Sequence, residues 1–100
     1  NGSYCVNNNP ILQVTTNSVS NITTNSAVCN GSVYNSNNNY LSGYFEYGQN
    51  QVPAMTTNVI NIGNNVNTQY TGNLVNLSPN TTYYCRAVAI NNNGNRVYGS

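Results

Sequence analysis

Apolar and polar residues alternate in short runs along the chain, and clusters of Asn and Gly separate one run from the next. A period of two is typical of β-strands with one buried face, and no run shows the 3.6-residue period of an amphipathic helix. The alternation predicts seven short strands, within residues 11–19, 27–33, 43–47, 52–62, 70–77, 83–89 and 96–98. We expect the first strand to break near residues 17–18 and residues 52–62 to hold one or two irregular strands. Seven strands at this spacing predict an all-β sandwich of two sheets with Greek-key connections.

The same alternation predicts which side chains face the core. The inner faces of the second, third and sixth strands are expected to carry Ala27, Cys29, Gly31 and Val33, then Gly43, Phe45 and Tyr47, then Tyr83, Cys85, Ala87 and Ala89. Tyr44 and Glu46 are then expected to lie outside.

The composition indicates a single folded domain. One hundred residues are enough for one modest core and too few for two. Val, Thr and the nine Tyr suit half-buried pleated surfaces, whereas the 25 Asn suit turns and edges. The charged residues are Glu46, Arg86 and Arg96, and the net charge is +1. A surface with so few charges needs another source of solubility, which glycans or self-association would supply.

The scarcity of charged residues excludes most kinds of functional site. Without His, Lys or Asp the chain cannot form a Ser-His-Asp or Cys-His triad, and one acid cannot form a carboxylate pair or a calcium site. A zinc site would have three Cys and no His. Two Arg cannot supply the basic surface that nucleic acids require. We therefore expect no enzyme activity, no cofactor and no nucleic-acid partner.

Sequons and cysteines suggest where the protein acts. Asn-x-Ser/Thr triplets, the acceptors of N-linked glycan, occur at Asn1, Asn21, Asn30, Asn76 and Asn80. Together with the lack of Lys and the presence of three Cys, they favour an oxidising, extracellular or cell-surface setting. No apolar run is long enough to cross a membrane. The alternative is that a bias toward Asn codons produces the triplets by chance.

Several stretches resemble the fibronectin type III family, most closely the tandem fibronectin-like repeats of microbial surface proteins. The resemblance covers about residues 10–100 and rests on residues 26–33, 43–48, 77–89, 93–94 and 97–99. Its most specific part is the spacing Leu77-x-Pro79-x-Thr81-x-Tyr83. It implies an immunoglobulin-like sandwich with strands A, B, C, C′, E, F and G, and a role as spacer, adhesive module or structural repeat.

The resemblance gives Tyr83 and two cysteines specific roles. Tyr83 looks like a tyrosine corner, whose hydroxyl bonds to the backbone near Leu77 or Ser78. Cys29 and Cys85 take inward positions on strands B and F, and Cys85 follows Tyr83 by two residues, as in immunoglobulin domains. This departs from ordinary fibronectin repeats, which carry aliphatic residues there. It implies a Cys29–Cys85 disulfide. The alternatives are two buried free thiols, or a bridge from Cys5 to either of these cysteines.

The outer faces carry two further candidates. Strands C and F are neighbours in this family, so Glu46 and Arg86 are expected to form an exposed cross-strand ion pair. Tyr44 and Tyr84, with Asn and Thr around them, are candidates for a binding face, because Tyr and Asn adapt readily to a ligand. Ordinary solvent-facing sheet surfaces have the same composition.

The two ends of the sequence together resemble one G strand. When residues 96–100 are followed by residues 1–6 of a next copy, they form a complete strand with Tyr4 in its inward aromatic position. Residues 1–9 are therefore expected to be a completing segment and linker, and residues 10–100 the domain. The intercopy strand would comprise Gly2, Ser3, Tyr4, Cys5 and Val6. Either a tandem chain continues through it, or separate subunits donate it to a neighbour. Cys5 would point outward and be available for a bond between copies.

Two functional hypotheses follow. The first is an extracellular structural repeat or filament subunit, assembled head to tail with copies of itself through strand G. The second is an adhesin or carbohydrate-binding module of a surface protein, for which glycans would be the partner. Neither requires insertion into a membrane.

Overall fold

The structure is a computed structural model that describes residues 12–36, 40–51 and 54–99, and these fold into eight β-strands. The strands are β1 Leu12–Thr16, β2 Ala27–Asn35, β3 Leu41–Gly48, β4 Met55–Thr56, β5 Ile60–Gly63, β6 Asn67–Leu74, β7 Tyr84–Ile90 and β8 Arg96–Tyr98. They form where alternation predicts them, and the stretch expected to hold one or two irregular strands contains the two short strands β4 and β5.

All strands pair in antiparallel fashion, in two sheets. One sheet has the order β1-β2-β6. The other has the order β4-β3-β7-β8, with β5 also pairing with β3. Strands β3 and β7, which correspond to the expected strands C and F, are neighbours as the resemblance implied. The all-β sandwich is therefore confirmed, whereas the proposed second half of strand G, Gly2 to Val6, lies outside the described residues.

The core forms between the sheets from the inward positions of the longest strands. On β2 every second residue from Ala27 to Asn35 is buried, because the residues of a strand point alternately to its two faces. Cys29, Phe45, Ala87 and Ala89 are fully buried. The predicted inner faces are thus confirmed for the strand residues, with Tyr47 and Cys85 packing at the margin of the core. Tyr83, which was also expected there, precedes β7 and does not belong to the core cluster.

Glycines make room for the two aromatic rings at the centre of the core. The rings of Phe45 and Tyr70 lie 4.8 Å apart between centroids, at an interplanar angle of 34°. A Cβ atom on Gly72 would lie 2.6 Å from Phe45 Cδ1, and one on Gly43 would lie 3.0 Å from Tyr70 Cε2. The first distance is shorter than real Cβ contacts and the second is tighter than nine in ten of them, so both positions favour a residue without a side chain.

Two details differ from or refine the expectations. The first strand ends at Thr16, and the chain rejoins β2 through an isolated bridge between Ser20 and Val28, which is the break expected near residues 17–18. Tyr44 lies on the outer face of β3, as expected, but only 7% of its surface is exposed.

Candidate functional site

Strand β7 is fully paired along one side only. Against β3 its pairing extends from Tyr84 to Ile90, whereas β8 pairs with residues 88–90 alone. One more bond, from the Gly99 amide to the Ala87 carbonyl at 2.7 Å, extends the second ladder. Backbone groups along an antiparallel strand face its two sides alternately, so the N–H and C=O of Cys85 face the same side as those of Ala87. No described strand pairs with them, and we call residues 84–86 the open edge.

Thr16 of β1 lies where the pairing of β8 with β7 ends. The Ala87 amide donates to Thr16 Oγ1 at 2.9 Å, so a side chain takes the place of a strand carbonyl. Gly99 packs so closely here that a Cβ atom on it would lie 2.4 Å from Thr16 Oγ1 and 2.9 Å from the Thr16 nitrogen. The close contact between Thr16 of β1 and Gly99, which follows β8, therefore marks where the open edge ends on its Ala87 side.

A cleft of about 500 Å³ opens between the two sheets beside the open edge. It lies between the β1–β2 connection, the β6–β7 connection and the start of β7. Its apolar lining consists of Val19, Ile22, Ala27, Leu74, Leu77 and Cys85. Ser and Thr hydroxyl groups from the same two connections form its rim. Ile22 is 72% exposed, so an apolar side chain at the mouth of the cleft meets solvent.

Backbone and tyrosine hydrogen bonds hold the walls of the cleft. The Tyr83 hydroxyl accepts a hydrogen bond from the Ser78 amide at 2.8 Å, which is the geometry expected of a tyrosine corner. This bond lowers the pKa of Tyr83, because it favours the negatively charged phenolate. The Leu77 amide donates to the Asn25 carbonyl at 2.9 Å and joins the two connections. The cleft is therefore formed by a fixed pair of turns.

Cys85 lines this cleft, whereas Cys29 is fully buried in the core. They lie on β7 and β2, in opposite sheets. Both are free in the structure, so the predicted bridge is not formed there and stays a prediction. The pairing of Cys5 likewise stays a prediction, because that residue lies outside the described part of the chain.

The outer face of the larger sheet carries a small charged and aromatic cluster. Glu46 and Arg86 are directly opposite in the β3–β7 register, and Arg86 Nε donates to Glu46 Oε1 at 3.0 Å while its Nη2 donates to the same oxygen. The Arg86 guanidinium lies over the Tyr98 ring, 4.3 Å from its centroid. Tyr84 and Tyr98 are 40% and 45% exposed. Since Tyr44 is shielded, the exposed tyrosines of this face are Tyr84 and Tyr98 rather than the predicted pair.

The described sequons differ in the availability of their amides. Asn21, Asn76 and Asn80 are exposed and adopt the left-handed backbone conformation of tight turns, with φ of 49°, 58° and 53°. Asn30 lies within β2, where its Nδ2 donates to the Ser18 carbonyl at 2.8 Å and to Ser20 Oγ at 3.0 Å. Three described sequons therefore present a side chain on a turn, and one does not. Asn1 lies outside the described residues.

Within residues 12–36, 40–51 and 54–99, no three His, Cys, Asp or Glu side chains come together so as to hold a metal ion. In that same part of the chain, no helix is long and apolar enough to span a membrane.

Comparison with known proteins identifies a shared fold. No family model and no curated protein matches the sequence. Two solved structures are similar, a shorter and a longer form of the sensor domain of the anti-sigma factor RsgI4 from Pseudobacteroides cellulosolvens. The shorter has a TM-score of 0.67 at 20% identity, over 89% of this chain and 87% of that one. The longer has a TM-score of 0.64 at 19% identity, over 89% and 85%. At this identity the likeness establishes the β-rich fold alone.

Sequence reasoning anticipated part of this site and missed part of it. The expectation that residues 96–100 form only part of strand G implied that they leave part of strand F uncovered, and the open edge lies there. The cleft beside it was not expected, because Val19 and Ile22 belong to a connection whose course depends on tertiary packing. The sequence signal that could have indicated the cleft is the presence of these two apolar residues in the connection between β1 and β2.

Proposed function

We propose that the chain is an extracellular, fibronectin type III-like module without catalytic activity, which associates with other proteins by accepting an extended segment at the open edge. The observation that carries this proposal is that no strand of the described residues pairs with the backbone of Cys85, which lies beside an apolar cleft. A strand edge with free N–H and C=O groups is a template for a further strand. Alternate side chains of that strand would enter the cleft, so one segment would satisfy the backbone and cover the apolar lining.

The occupant that we propose is the segment Gly2 to Val6 of a second copy, which would link copies head to tail in a filament or repeat array. Its uncharged residues alternate, so Tyr4 and Val6 would share one face and Cys5 the other. An aromatic and an aliphatic side chain on the inner face suit a cleft lined by Leu, Ile, Val and Ala. The lack of charged residues lets the segment enter such a cleft without an unpaired charge.

Light scattering of the full chain against concentration tests this proposal, with reductant present to exclude disulfides. We expect association that Tyr4→Ser and Ile22→Ser each weaken by ~10-fold or more, since an apolar contact at an interface is worth about 1.5 kcal/mol. Cys5→Ser and Val59→Ser are the matched controls, because the first would face outward on the donated strand and the second is 59% exposed elsewhere. A chain that stays monomeric at every concentration, or an equal effect of the controls, would contradict the proposal.

A surface-sensing or adhesive module is the second candidate. It is favoured by the fold shared with a sensor domain and by the exposed rings of Tyr84 and Tyr98 on one sheet face. Aromatic rings beside polar neighbours are adaptable contact groups, and a glycan is the partner proposed here. Electron microscopy and a glycan array separate the two functions. Regular fibres with one axial repeat per domain support the first, and a monodisperse monomer that binds glycan supports the second.

A further inference from the structure

Strand β6 forms a long edge of the smaller sheet. It pairs with β2 over its whole length, from Asn67 to Leu74, and no strand of residues 12–36, 40–51 and 54–99 pairs with its other side. The opposite edge of the same sheet is the shorter strand β1, whose end at Thr16 is packed against Gly99. The free side of β6 is therefore the longer of the two edges of this sheet.

The pairing of β6 with β2 determines which backbone groups face the free side. The Asn35 amide donates to the Val66 carbonyl at 2.7 Å, in line with the β2–β6 register, so these two residues form a hydrogen-bonded pair. Along an antiparallel ladder, hydrogen-bonded pairs alternate with non-hydrogen-bonded pairs. The even-numbered residues of β6 therefore bond to β2, and the residues whose N–H and C=O face the free side are Asn67, Gln69, Thr71 and Asn73. The side chains of these four residues are exposed.

The sequence of β6 lacks the features that usually protect an edge strand. Natural edges are kept from pairing by charged side chains, by Pro, by bulges or by short length. Residues 67–74 contain no charged residue and no Pro, and the register with β2 is continuous over all eight residues. Nothing in this strand opposes the addition of a further strand.

We propose that β6 pairs edge to edge with β6 of a second copy, in antiparallel fashion about a two-fold axis at Tyr70. This register places Asn67 opposite Asn73 of the other copy, and Gln69 opposite Thr71. Every N–H and C=O group on the free side of β6 then has a partner within the same strand of the other copy. A register centred on Thr71 would instead pair Asn67 with Val75, which lies beyond the end of β6.

A second copy suits this edge for two reasons. Two identical strands without charges meet without like-charge repulsion, and their outward amide and hydroxyl side chains would lie opposite one another as polar cross-strand pairs. The combined sheet, β1-β2-β6-β6-β2-β1, would also have a β1 strand at each end, so pairing through β6 stops at the dimer. The inference does not rest on the cleft, because β6 and β1 lie at opposite edges of their sheet. Head-to-tail arrays could therefore also pair side by side.

Hydrogen exchange of the full chain in reductant, followed residue by residue by NMR, tests this pairing. The amides that bond to β2, such as that of Tyr70, should be protected at every protein concentration. The amides of Asn67, Gln69, Thr71 and Asn73 should exchange fast in dilute monomer and at least ~10-fold more slowly at concentrations where sedimentation shows a dimer. The Cys85 amide reports the open edge in the same spectra, so the two associations are distinguished.

Two outcomes of this measurement would overturn the inference. Fast exchange of the four amides at every concentration would show that β6 does not pair between copies. Protection already present in the dilute monomer would show that another segment of the same chain covers the edge.

A backbone substitution tests the hydrogen bonds directly. Thr71→Pro removes an N–H that faces the free side and leaves the ladder to β2 intact, a position where an edge strand tolerates Pro. We expect the dissociation constant of the dimer to rise by ~10-fold or more, because each dimer loses two hydrogen bonds. Thr71→Val is the matched control, since it keeps the N–H and the β-branched shape, and it should leave the dissociation constant unchanged.

Charged variants test the register without removing a backbone group. Gln69→Lys with Thr71→Lys places like charges directly opposite each other in the proposed dimer, and so does Gln69→Glu with Thr71→Glu. Each double variant alone should dimerise at least ~10-fold more weakly than wild type, and a mixture of the two should recover the association. A mixture that associates no more tightly than either variant alone would overturn the inference.

Discussion

The Tyr70 hydroxyl donates a hydrogen bond to the Val88 carbonyl at 2.8 Å and thereby joins the two sheets through the core. Tyr70 lies on β6 in one sheet, and Val88 lies on β7 in the other. Both are buried, at 5% and 0% exposure. In this domain the polar group of a core tyrosine is satisfied by the backbone of the opposite sheet, so the bond fixes the position of the sheets relative to each other.

Removing this hydroxyl should lower the stability of the domain. Tyr70→Phe keeps the ring that packs against Phe45 and deletes only the bond, so we expect the free energy of unfolding to fall by about 1 kcal/mol. Tyr34→Phe is the matched control, because Tyr34 is 41% exposed. Urea unfolding at neutral pH measures both variants. A loss from Tyr70→Phe no larger than that from Tyr34→Phe would show that the bond contributes nothing to stability.

Tyr70 should also make the domain sensitive to alkali. Burial raises the pKa of Tyr70 in the folded state, while in the unfolded chain it stays near 10. Its contribution is therefore fully present below pH ~10 and is lost as pH rises further, by up to ~1.4 kcal/mol per unit. Urea unfolding at pH 8, 10 and 11 should show the difference between wild type and Tyr70→Phe shrinking with pH. Ionisation of Cys29 also destabilises the folded state at high pH, but equally in both proteins. A constant difference would contradict the expectation.

Gly72 should not tolerate a methyl group. Gly72→Ala would bring a Cβ atom against the buried Phe45 ring, whose movement is blocked by Tyr70, and such overpacking costs about 1–3 kcal/mol. Gly94→Asn is the control, since no atom lies within 4 Å of its Cβ position and Asn accommodates its φ of 82°. Thermal unfolding compares the two. Equal melting temperatures would show that the core yields more readily than this geometry implies.

Local sequence was sufficient to predict the strands and their inward faces, because alternation is a property of each segment by itself. It could not predict the bond from Tyr70 to Val88, since that bond depends on how far apart two sheets settle. Nor could it predict that Tyr44, on the outer face of β3, is buried. The placement of Cys29 and Cys85 on strands of the two opposite sheets was expected from the resemblance to immunoglobulin domains.

The native protein should carry glycan on Asn80 or Asn21 and none on Asn30. The Asn30 amide already donates two hydrogen bonds within the strand region, whereas the other two lie exposed on turns. Enzymatic deglycosylation in ¹⁸O water, followed by peptide mass spectrometry of protein from its native source, locates the modified residues. Thr82→Ala is the control, because it removes the Asn80 sequon and keeps the asparagine. A native protein with the mass of the bare polypeptide, or glycan on Asn30, would contradict this prediction.

The ion pair between Glu46 and Arg86 should make a measurable but small contribution to stability. The Glu46 side chain is 16% exposed and that of Arg86 is 35% exposed, so solvent screens the pair in part. A double-mutant cycle with Glu46→Gln and Arg86→Met should give a coupling free energy of about 1 kcal/mol, the upper end for surface pairs.

Salt and a third residue test the physical basis of that coupling. High salt should reduce it, because the pair is open to counterions on the Arg86 side. Tyr98→Leu should lower the free energy of unfolding by about 0.5–1 kcal/mol in the wild type. The loss should be smaller in the presence of Arg86→Met, since the Tyr98 ring then faces no guanidinium. Arg86→Lys retains the charge but loses the planar group that reaches Glu46 and Tyr98 together, so its coupling to Glu46 should be smaller than that of arginine. A coupling of zero at low salt would mean that the outer face of β3 and β7 is stabilised by packing and backbone pairing alone.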